Sequence, residues 1–310
     1  MEYDFPLFRP PSEARSLIFQ VTLGCSWNRC LFCASYRTKE FLVRPFEEVE
    51  RDVAEMSGRY PDGRKIFLAD GDPMAAPTGY LLKVLDLMNR RFPALERIST
   101  YAGPTNLMEK TPEELRMLKE RKLDLLYLGI ETGNDELLKR VGKGATAGQI
   151  IEGSRKALQA GLRISAFIIL GLGGVDGSLG HAKDSARVVN AIDPQFLATL
   201  TLMPLPDARA YEERVMGRGF RLIDPVQSLQ ELRWFVEDLD LACCKFGTEH
   251  ASNYLPITGM TLPGDKDKIL RLIDEALADT SPGMLRPPCR PRRRPRSVGN
   301  GREPPSPGCG

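Results

Sequence analysis

The sequence predicts an α/β fold, namely a partial, TIM-like (β/α)6 barrel with a C-terminal helical extension. Apolar runs of strand length alternate along the chain with amphipathic helical patterns. The runs are almost continuously apolar, which is typical of strands buried on both faces of a parallel sheet. Six such units fit between residue 16 and about residue 220. Because a closed barrel of this kind needs eight units, we expect an open or partial one.

The predicted strands and helices follow one another along the chain. Strands are expected at residues 16–23, 65–69, 97–100, 123–130, 163–172 and 195–203. Helices are expected at residues 45–57, 78–92, 111–121, 146–161 and 180–192. Boundary signals support two of these helices, since Thr111 precedes acids in a first turn and Gly161 follows a last turn. Each strand–helix–strand unit should be right-handed, with helices covering the sheet.

The pattern changes near residue 220, which suggests a division of the chain into four parts. These are a lead-in (1–15), a core barrel (16–220), an extension packed on the barrel (221–285) and a tail (286–310). In the extension we expect two helices, at residues 225–241 and 265–279, with a loop at 250–259 between them. Cys243 and Cys244 are interpreted as buried apolar thiols on a helix; an auxiliary cluster or a hydrogen-donor role are the alternatives.

The tail is basic and rich in proline, with seven arginines against the single acid Glu303. It contains almost nothing apolar and cannot offset its own ordering entropy, so we expect it to be disordered. Contact with RNA or an acidic surface is an alternative to a passive extension. Residues 1–285 carry 36 basic and 40 acidic side chains, which gives no support for a nucleic-acid partner.

The composition of the sequence also predicts where in the cell the protein is located. No run of eighteen apolar residues is present, so we expect no membrane span. The first fifteen residues lack the basic-then-apolar order of a signal peptide. Seven cysteines, an odd number, argue against a disulfide framework. The sequence therefore predicts a cytoplasmic protein whose thiols stay reduced.

Glycines and single carboxylates follow the predicted strands. The segments after the first five strands contain Cys25, Cys30 and Cys33, then "ADGDPM" (69–74), "YAGPTN" (101–106), "GIETGND" (129–135) and "GLGGVDGSLGH" (171–181). The carboxyl ends of parallel strands share one edge, where ligands of α/β folds bind. We therefore expect these segments to form one functional rim.

The three clustered cysteines indicate a soft or borderline metal. Structural zinc sites use four protein ligands, and simple electron-transfer iron–sulfur clusters also use four cysteines. His181 or His250 could complete a zinc site. The simpler interpretation is a [4Fe-4S] cluster in which three irons are bound by cysteine and the fourth is open to a substrate or cofactor.

The stretch "VTLGCSWNRCLFCASY" (21–36), followed by the alternating chain, resembles the radical S-adenosylmethionine (SAM) superfamily over residues 16–210. The cysteine spacing is four then two residues, whereas three then two is usual in that family. The strand-6 stretch "LMPLPDA" (202–208) is similar to the branch that contains coproporphyrinogen dehydrogenase, methylthiotransferases and the elongator catalytic subunit. The extra residue among 26–29 makes this loop a variant of the family motif.

The resemblance implies a set of cofactor contacts. Asp72, in "DGDP", is similar to the family acid that meets the SAM amino group, where a charge-assisted hydrogen bond orients an ammonium. Glu131 resembles the strand-4 residue that contacts SAM. Ile168 and Gly171 lie in a segment similar to the one against adenine, and Phe32 matches the residue whose backbone meets adenine.

The same resemblance implies a reaction. The reduced cluster cleaves SAM to methionine and a 5′-deoxyadenosyl radical, which abstracts hydrogen from a substrate that the sequence does not identify. An electron donor such as flavodoxin or ferredoxin is implied. The alternative is a zinc- or iron–sulfur-binding scaffold or regulatory module without SAM chemistry.

Three further side chains are candidates for catalytic roles. His181 follows the glycine-rich segment and either meets substrate or cofactor or is a helix-cap or surface residue. His250 and Tyr254 belong to a segment that either folds over the barrel mouth or is a plain loop.

Overall fold

The computed structural model describes residues 1–203, 220–279 and 285–287. The strands are β1 (Leu17–Gln20), β2 (Thr22–Leu23), β3 (Leu42–Val43), β4 (Lys65–Ala69), β5 (Arg97–Ala102), β6 (Leu123–Glu131), β7 (Arg163–Leu170), β8 (Phe196–Thr201), β9 (Cys244–Gly247) and β10 (Met260–Leu262). The helices are α1 (Phe46–Arg59), α2 (Thr78–Arg91), α3 (Pro104–Glu109), α4 (Pro112–Glu120), α5 (Asp135–Arg140), α6 (Ala147–Gln159), α7 (Gly174–Ile192), α8 (Pro225–Glu237) and α9 (Lys266–Ala278).

One eight-stranded sheet organises the fold, in the order β1-β4-β5-β6-β7-β8-β9-β10. Every neighbouring pair from β1 to β9 is parallel, and β10 is antiparallel to β9. β2 and β3 form a separate antiparallel ribbon. The predicted α/β fold with a parallel sheet is thus confirmed, and the carboxyl ends of the parallel strands share one rim.

The two faces of the sheet pack differently because successive side chains of a strand point to opposite sides. On β7, Ile164 and Ile168 belong to the main core between the sheet and the helices. On the inner face, Phe67 and Tyr127 form a second cluster, against which Phe167 packs. The Tyr127 and Phe167 rings are stacked with centroids 6.0 Å apart. The barrel interior is therefore a packed aromatic layer.

Several predicted boundaries were wrong. The expected strand at 16–23 is two strands, because the chain changes partner: β1 pairs with β4, whereas β2 pairs with β3. The helix expected at 180–192 begins six residues earlier, at Gly174. Two short helices, α3 and α5, were not predicted, and each begins inside a segment expected to belong to the rim. Each contains only six residues, too short a window to show helical periodicity.

The extension also differs from the prediction. Its first helix ends at Glu237, and Cys244 begins strand β9, while Cys243 is exposed beside it. The helical interpretation of these two thiols is therefore wrong. In "CKFG" the buried Cys244 and Phe246 flank the exposed Lys245, which is the period-two pattern of a strand. The extension thus adds two strands to the sheet as well as α8 and α9, which pack on each other.

The lead-in lies along the inner face and edge of β1. The Asp4 amide donates to Gln20 Oε1 (2.9 Å), and Gln20 Nε2 donates to the Asp4 carbonyl (2.8 Å). The Tyr3 hydroxyl donates to the Ile18 carbonyl at 3.1 Å, and Leu7 packs against the aromatic inner cluster. These contacts make the lead-in part of the barrel wall.

Glu13, at the end of the lead-in, is fully buried. Its carboxylate accepts hydrogen bonds from Arg97 Nη2 (2.6 Å), the Tyr127 hydroxyl (2.6 Å) and Ser16 Oγ. A buried carboxylate is tolerated only when it is paired and hydrogen-bonded. This cluster joins the lead-in to β5 and β6 at the inner face.

Parts of two segments singled out from the sequence lie outside the described residues. These are "PLPDA" (204–208) of the strand-6 stretch and residues 288–310 of the tail. Arg286 is described, and its amide donates to the Tyr254 carbonyl at 2.8 Å. Among the helices of the described ranges, none combines the length and hydropathy that a membrane crossing requires.

Replacing Glu13 by alanine should lower the free energy of unfolding by about 3–5 kcal/mol, because it leaves the Arg97 guanidinium in a largely buried place without its counter-charge. Urea denaturation measures this change. Glu113→Ala, which removes an exposed carboxylate from a surface pair with Arg116, is the matched control and should change little. Equal effects of the two substitutions would contradict a structural role for the Glu13 cluster.

Candidate functional site

The three cysteines lie on a loop between β2 and β3 at the rim. The loop starts at Gly24, whose carbonyl accepts from the Gly71 amide just beyond β4 (2.9 Å). Cys25, Cys30 and Cys33 are half-buried free thiols, and the Cys33 amide donates to the Cys30 carbonyl at 3.1 Å. The loop therefore holds its thiols at the carboxyl ends of the first strands.

The thiols influence one another electrostatically. Burial raises the pKa of Cys30 to about 11, Lys143 opposes this rise, and the charges of Glu131, Cys33 and Cys25 add to it. Burial also raises the pKa of Cys25, with smaller contributions from Asp72 and Cys33. The three thiols thus form one group with a cation beside it.

Residues on either side of Cys30 dock on the segment that links α5 to α6. Trp27 Nε1 donates to the Gly142 carbonyl (2.6 Å), and the Leu31 amide donates to the Val141 carbonyl (2.9 Å). Gly144 has a φ of +80°, and a Cβ there would come within 2.3 Å of the Trp27 ring. The longer first spacing therefore carries an indole that anchors the cysteine loop to a glycine-rich turn.

Asp72 lies beneath this loop, 2% exposed. Its carboxylate accepts from Asn106 Nδ2 (2.6 Å to either oxygen), from the Gly103 amide (3.3 Å) and from Ser26 Oγ. Burial raises its pKa, and the hydrogen bonds from Ser26 and Asn106 oppose the rise. The exposed Ser26 is the partner that separates this carboxylate from solvent.

Glu131, at the end of β6, forms an ion pair with Lys143 at 2.8 Å, and both side chains are about nine-tenths buried. Glu131 has a φ of +67°, a left-handed conformation that is uncommon outside glycine. Burial lowers the pKa of Lys143, but the charges of Glu131 and Cys30 outweigh it, so the net shift is upward. Sequence reasoning missed Lys143, whose signal is a lone cation between two glycines in "VGKGA".

The remaining predicted cofactor contacts lie in different environments. Phe32 packs against Val141 and Leu172 at the rim. The Ile168 side chain is fully buried in the helix-facing core, so only its backbone is available to a ligand at the inner face. Gly171 has a φ of +82°, and a Cβ there would come within 2.7 Å of Ile223.

His181 lies within α7 and is 1% exposed. Its Nδ1 is 2.8 Å from Thr132 Oγ1, and its Nε2 is 3.0 Å from the Ile169 carbonyl and 3.4 Å from Glu231 Oε1. A carbonyl can only accept, so Nε2 carries the proton and Nδ1 accepts from the threonine. Burial lowers the pKa of His181 to about 4, and the ring is neutral at physiological pH.

Both interpretations offered for His181 from sequence were incomplete. The ring is neither a surface group nor a cap, and its two nitrogens are engaged by the protein. It therefore does not present a nitrogen to a ligand at the rim. Its helix begins at Gly174 rather than at the predicted residue 180, which places His181 in the second turn of the helix and under β7.

His250 and Tyr254 lie on the loop between β9 and β10, which reaches the carboxyl end of β8. On this loop Ser252 Oγ accepts from the Thr201 amide (2.9 Å), and His250 Nδ1 is 2.8 Å from Ser252 Oγ. Burial lowers the pKa of His250. The Tyr254 carbonyl accepts from the Arg286 amide. Both residues thus lie at the same rim as the cysteine loop, at β8, which is five strands from β1 in the sheet order.

The donor set fits an iron–sulfur cluster better than a single metal ion. Across residues 1–203, 220–279 and 285–287, no three His, Cys, Asp or Glu side chains converge on a point that could hold one ion. In a four-iron cluster each thiolate binds a different iron, so the ligands need not converge in this way. A zinc site completed by His181 is contradicted, because that ring lies inside the core. Three half-buried thiols on one loop suit the soft ligand chemistry of iron–sulfur clusters.

Tyr36, another residue missed from the sequence, lies against this loop. Its hydroxyl is buried and has no hydrogen-bond partner among the residues described. Its ring packs edge-on against Phe8, with centroids 5.5 Å apart, and Asn28 Nδ2 donates to its carbonyl (2.9 Å). A buried hydroxyl usually has a partner, so among the described residues this one is an exception.

Comparison with known proteins agrees with this geometry. A family profile described as the Radical SAM superfamily matches residues 19–184. Heme chaperone HemW of Bacillus subtilis (strain 168) is 26% identical over 195 residues, which are 63% of this chain and 50% of that protein. A tRNA-2-methylthio-N(6)-dimethylallyladenosine synthase of Alkalilimnicola ehrlichii is 28% identical over 194 residues, 59% of this chain and 42% of that protein.

Solved structures show the same fold. Coproporphyrinogen III oxidase (HemN) from Escherichia coli, a radical SAM enzyme, superposes with a TM-score of 0.56 at 17% identity, over 72% of this chain and 51% of that one. Methylornithine synthase (PylB) superposes with a TM-score of 0.50 at 18% identity, over 73% and 63% of the two chains. The chain spans half or less of the length of the two curated relatives above.

The buried pair of Glu231 and His181 should affect stability in opposite ways as the pH changes. Burial raises the pKa of Glu231 from 4.5 to about 7. The folded protein thus keeps a proton that the unfolded chain releases in this window, and stability falls as the pH rises through it. The lowered pKa of His181 acts oppositely, with stability lost as the pH falls from 6.5 towards 4.

Glu231→Gln removes only the titrating carboxyl. The free energy of unfolding of this variant, measured relative to that of the native protein, should therefore increase as the pH rises from 4.5 to 7. Urea denaturation over this range measures the difference. Val236→Ala, on the same helix, removes no titrating group and should give a difference that is flat with pH. A flat difference for Glu231→Gln as well would show that this carboxyl is not held protonated.

Proposed function

The chain belongs to the radical SAM superfamily, and we propose that it is an enzyme that binds a [4Fe-4S] cluster through Cys25, Cys30 and Cys33 and cleaves S-adenosylmethionine. The cluster and SAM are the cofactors of this family. The observation that carries the proposal is the placement of three half-buried thiols at one rim beside a buried acid, Asp72, and an ion pair, Glu131–Lys143. Cation, acid and thiols at one rim form a set suited to a charged cofactor.

When bound, the cluster and SAM supply one-electron cleavage of the sulfonium to methionine and a 5′-deoxyadenosyl radical, which abstracts hydrogen from the substrate. The cysteines contribute thiolates, since metal ligands must lose their protons. Burial opposes this loss at Cys30, and the neighbouring Lys143 ammonium favours it. We assign to Lys143 the task of stabilising negative charge at this ligand.

Asp72 is proposed to accept a hydrogen bond from the SAM ammonium. Its two inner partners, Asn106 and Gly103, hold the carboxylate in one orientation. Its outer partner, Ser26, is exposed and can turn away, so that a ligand ammonium replaces a hydroxyl. A charge-assisted bond there is stronger than the neutral one it replaces.

Phe32, Glu131, Ile168 and Gly171 remain proposed contacts of SAM, with Ile168 limited to its backbone. His250 and Tyr254 remain candidates for substrate contact, because their loop lies at the rim. We also propose an electron donor such as flavodoxin or ferredoxin as partner, and the cytoplasm as compartment. The rim loops and the extension are proposed to select the substrate.

Anaerobic reconstitution with iron and sulfide should load about four irons per chain, as a [4Fe-4S] cluster requires. Cys25→Ala, Cys30→Ala and Cys33→Ala should each abolish most of this iron, because each removes one of three ligands. Cys243→Ala removes an exposed thiol far along the chain and should keep the iron of the native protein. Iron and sulfide analysis with visible absorption measures the outcome.

The same preparation should form 5′-deoxyadenosine from SAM when dithionite is added, and the cysteine variants should not. Bound zinc without the colour of an iron–sulfur cluster would instead favour the scaffold or regulatory module. A loaded cluster that forms no 5′-deoxyadenosine would also contradict the enzyme and favour an iron–sulfur module.

Asp72→Asn should weaken SAM binding to the reconstituted protein by about 10- to 100-fold, because a hydrogen bond to a charged group is replaced by a neutral one. Equilibrium binding of SAM measures the change. Glu136→Gln, which neutralises an exposed carboxylate paired with Arg140 on α5, is the control and should bind SAM as the native protein does. Unchanged binding by Asp72→Asn would remove this residue from the site.

A further inference from the structure

A buried polar chain connects the extension to the rim. Glu231, on α8, is fully buried, and its Oε1 accepts from the Gly171 amide at 2.6 Å. Its Oε2 accepts from Ser178 Oγ, and its Oε1 lies 3.4 Å from His181 Nε2. One carboxyl from the extension thus holds the residue just beyond β7 and the first turns of α7.

The series of buried polar contacts continues from β7 to β6 through His181. The Nδ1 atom of His181 accepts from Thr132 Oγ1 (2.8 Å), directly after Glu131. The turn that follows Glu131 is held against α7 by two further hydrogen bonds. The Gly133 amide donates to Ser185 Oγ (3.0 Å), and Asn134 Nδ2 donates to Asp184 Oδ2 (2.6 Å). The left-handed conformation of Glu131 persists because its successors are fixed in this way.

The position of Glu231 is otherwise an unfavourable one for an acid. Its neighbours on α8, Leu232 and Phe235, are buried core residues, and a leucine would fill the same place. Burying a carboxyl costs free energy unless its oxygens are bonded. Here each oxygen accepts from a group at the edge of the proposed site, and Glu231 lies outside the 19–184 range of the family match.

We propose that Glu231 is a positioning residue for SAM binding. It holds Gly171 directly, and it holds Glu131 through His181 and Thr132. Both residues are thereby kept in the conformations in which they contact the cofactor. This inference rests on the proposed function. The carboxyl itself touches no ligand; it acts through the two strand ends. The extension is therefore part of the binding machinery of the barrel.

The test compares Glu231→Leu with Glu231→Gln. Leucine fills the space but leaves the Gly171 amide and the Ser178 hydroxyl without their acceptor. Glutamine keeps an acceptor for the amide, and its amino group donates to a rotated serine hydroxyl. Val236→Ala, a core deletion on the same helix, is the control for loss of stability alone.

Two measurements are made on each protein. Hydrogen exchange is followed in peptides covering residues 128–136 and 165–174 before reconstitution, and SAM binding is titrated after reconstitution, with iron content determined in parallel. Glu231→Leu should exchange faster in both peptides and bind SAM roughly tenfold more weakly, as expected from unpaired buried donors, with the iron content of the native protein. Glu231→Gln and Val236→Ala should bind SAM within about twofold of it.

Thr132→Val provides a second variant if the leucine variant does not fold, since it removes only the hydroxyl that binds His181. It should accelerate exchange in 128–136 and weaken SAM binding by a few-fold. The inference would be overturned if Glu231→Leu bound SAM with native affinity. If the leucine variant does not fold, native affinity in Thr132→Val would overturn it instead. Either result would leave the proposed function intact. A native protein that loads iron but binds no SAM would overturn the proposed function, and the inference with it.

Discussion

The carboxyl ends of β1, β4, β6 and β7 lie at one rim because these strands run parallel in a single sheet. The cysteine loop, Asp72, Glu131 and Gly171 are separated by up to 146 positions along the chain. Each nevertheless lies near the carboxyl end of one of these strands. A parallel sheet requires helical crossovers, and these crossovers also cover the core that keeps the rim rigid. The proposed binding of a charged cofactor depends on this convergence.

The charged side chains at the rim are buried and bonded to other groups of the protein. Asp72, Glu131 and Lys143 are held away from water and bonded to the protein, so their orientation is set before any ligand arrives. Such preorganisation is what a site for a charged cofactor needs, since little reorganisation is left for the moment of binding. Within the longer first spacing of the cysteine loop, Trp27 docks on the turn that carries Lys143. The loop variant and the cation thus form one structural unit.

Much of the fold and part of the site could be predicted from local pattern. β4 matched at both ends, and α6 and α9 came within two residues, because their apolar periodicity and caps are local signals. The break between β1 and β2 was missed, because the local periodicity of a segment does not indicate which strand it pairs with. Cys243 and Cys244 were predicted to lie on a helix, since the four residues of β9 are too few to distinguish the period of a strand from that of a helix. The start of α7 was missed because the glycines in "GLGGVDGSLGH" suggested a loop before residue 180, whereas packing under β7 stabilises a helix from Gly174.

The sequence by itself determined the alternation of strands and helices, the cluster of three cysteines and the acids that follow the strands, because these depend on residue type and short spacing. Only the tertiary structure decided which groups meet. It placed Lys143 beside Glu131 and Cys30, turned Ile168 to the helix-facing core, and inserted Glu231 from the extension behind Gly171. These relations join residues far apart in the chain, and their energies come from burial and pairing in three dimensions, which no local window contains.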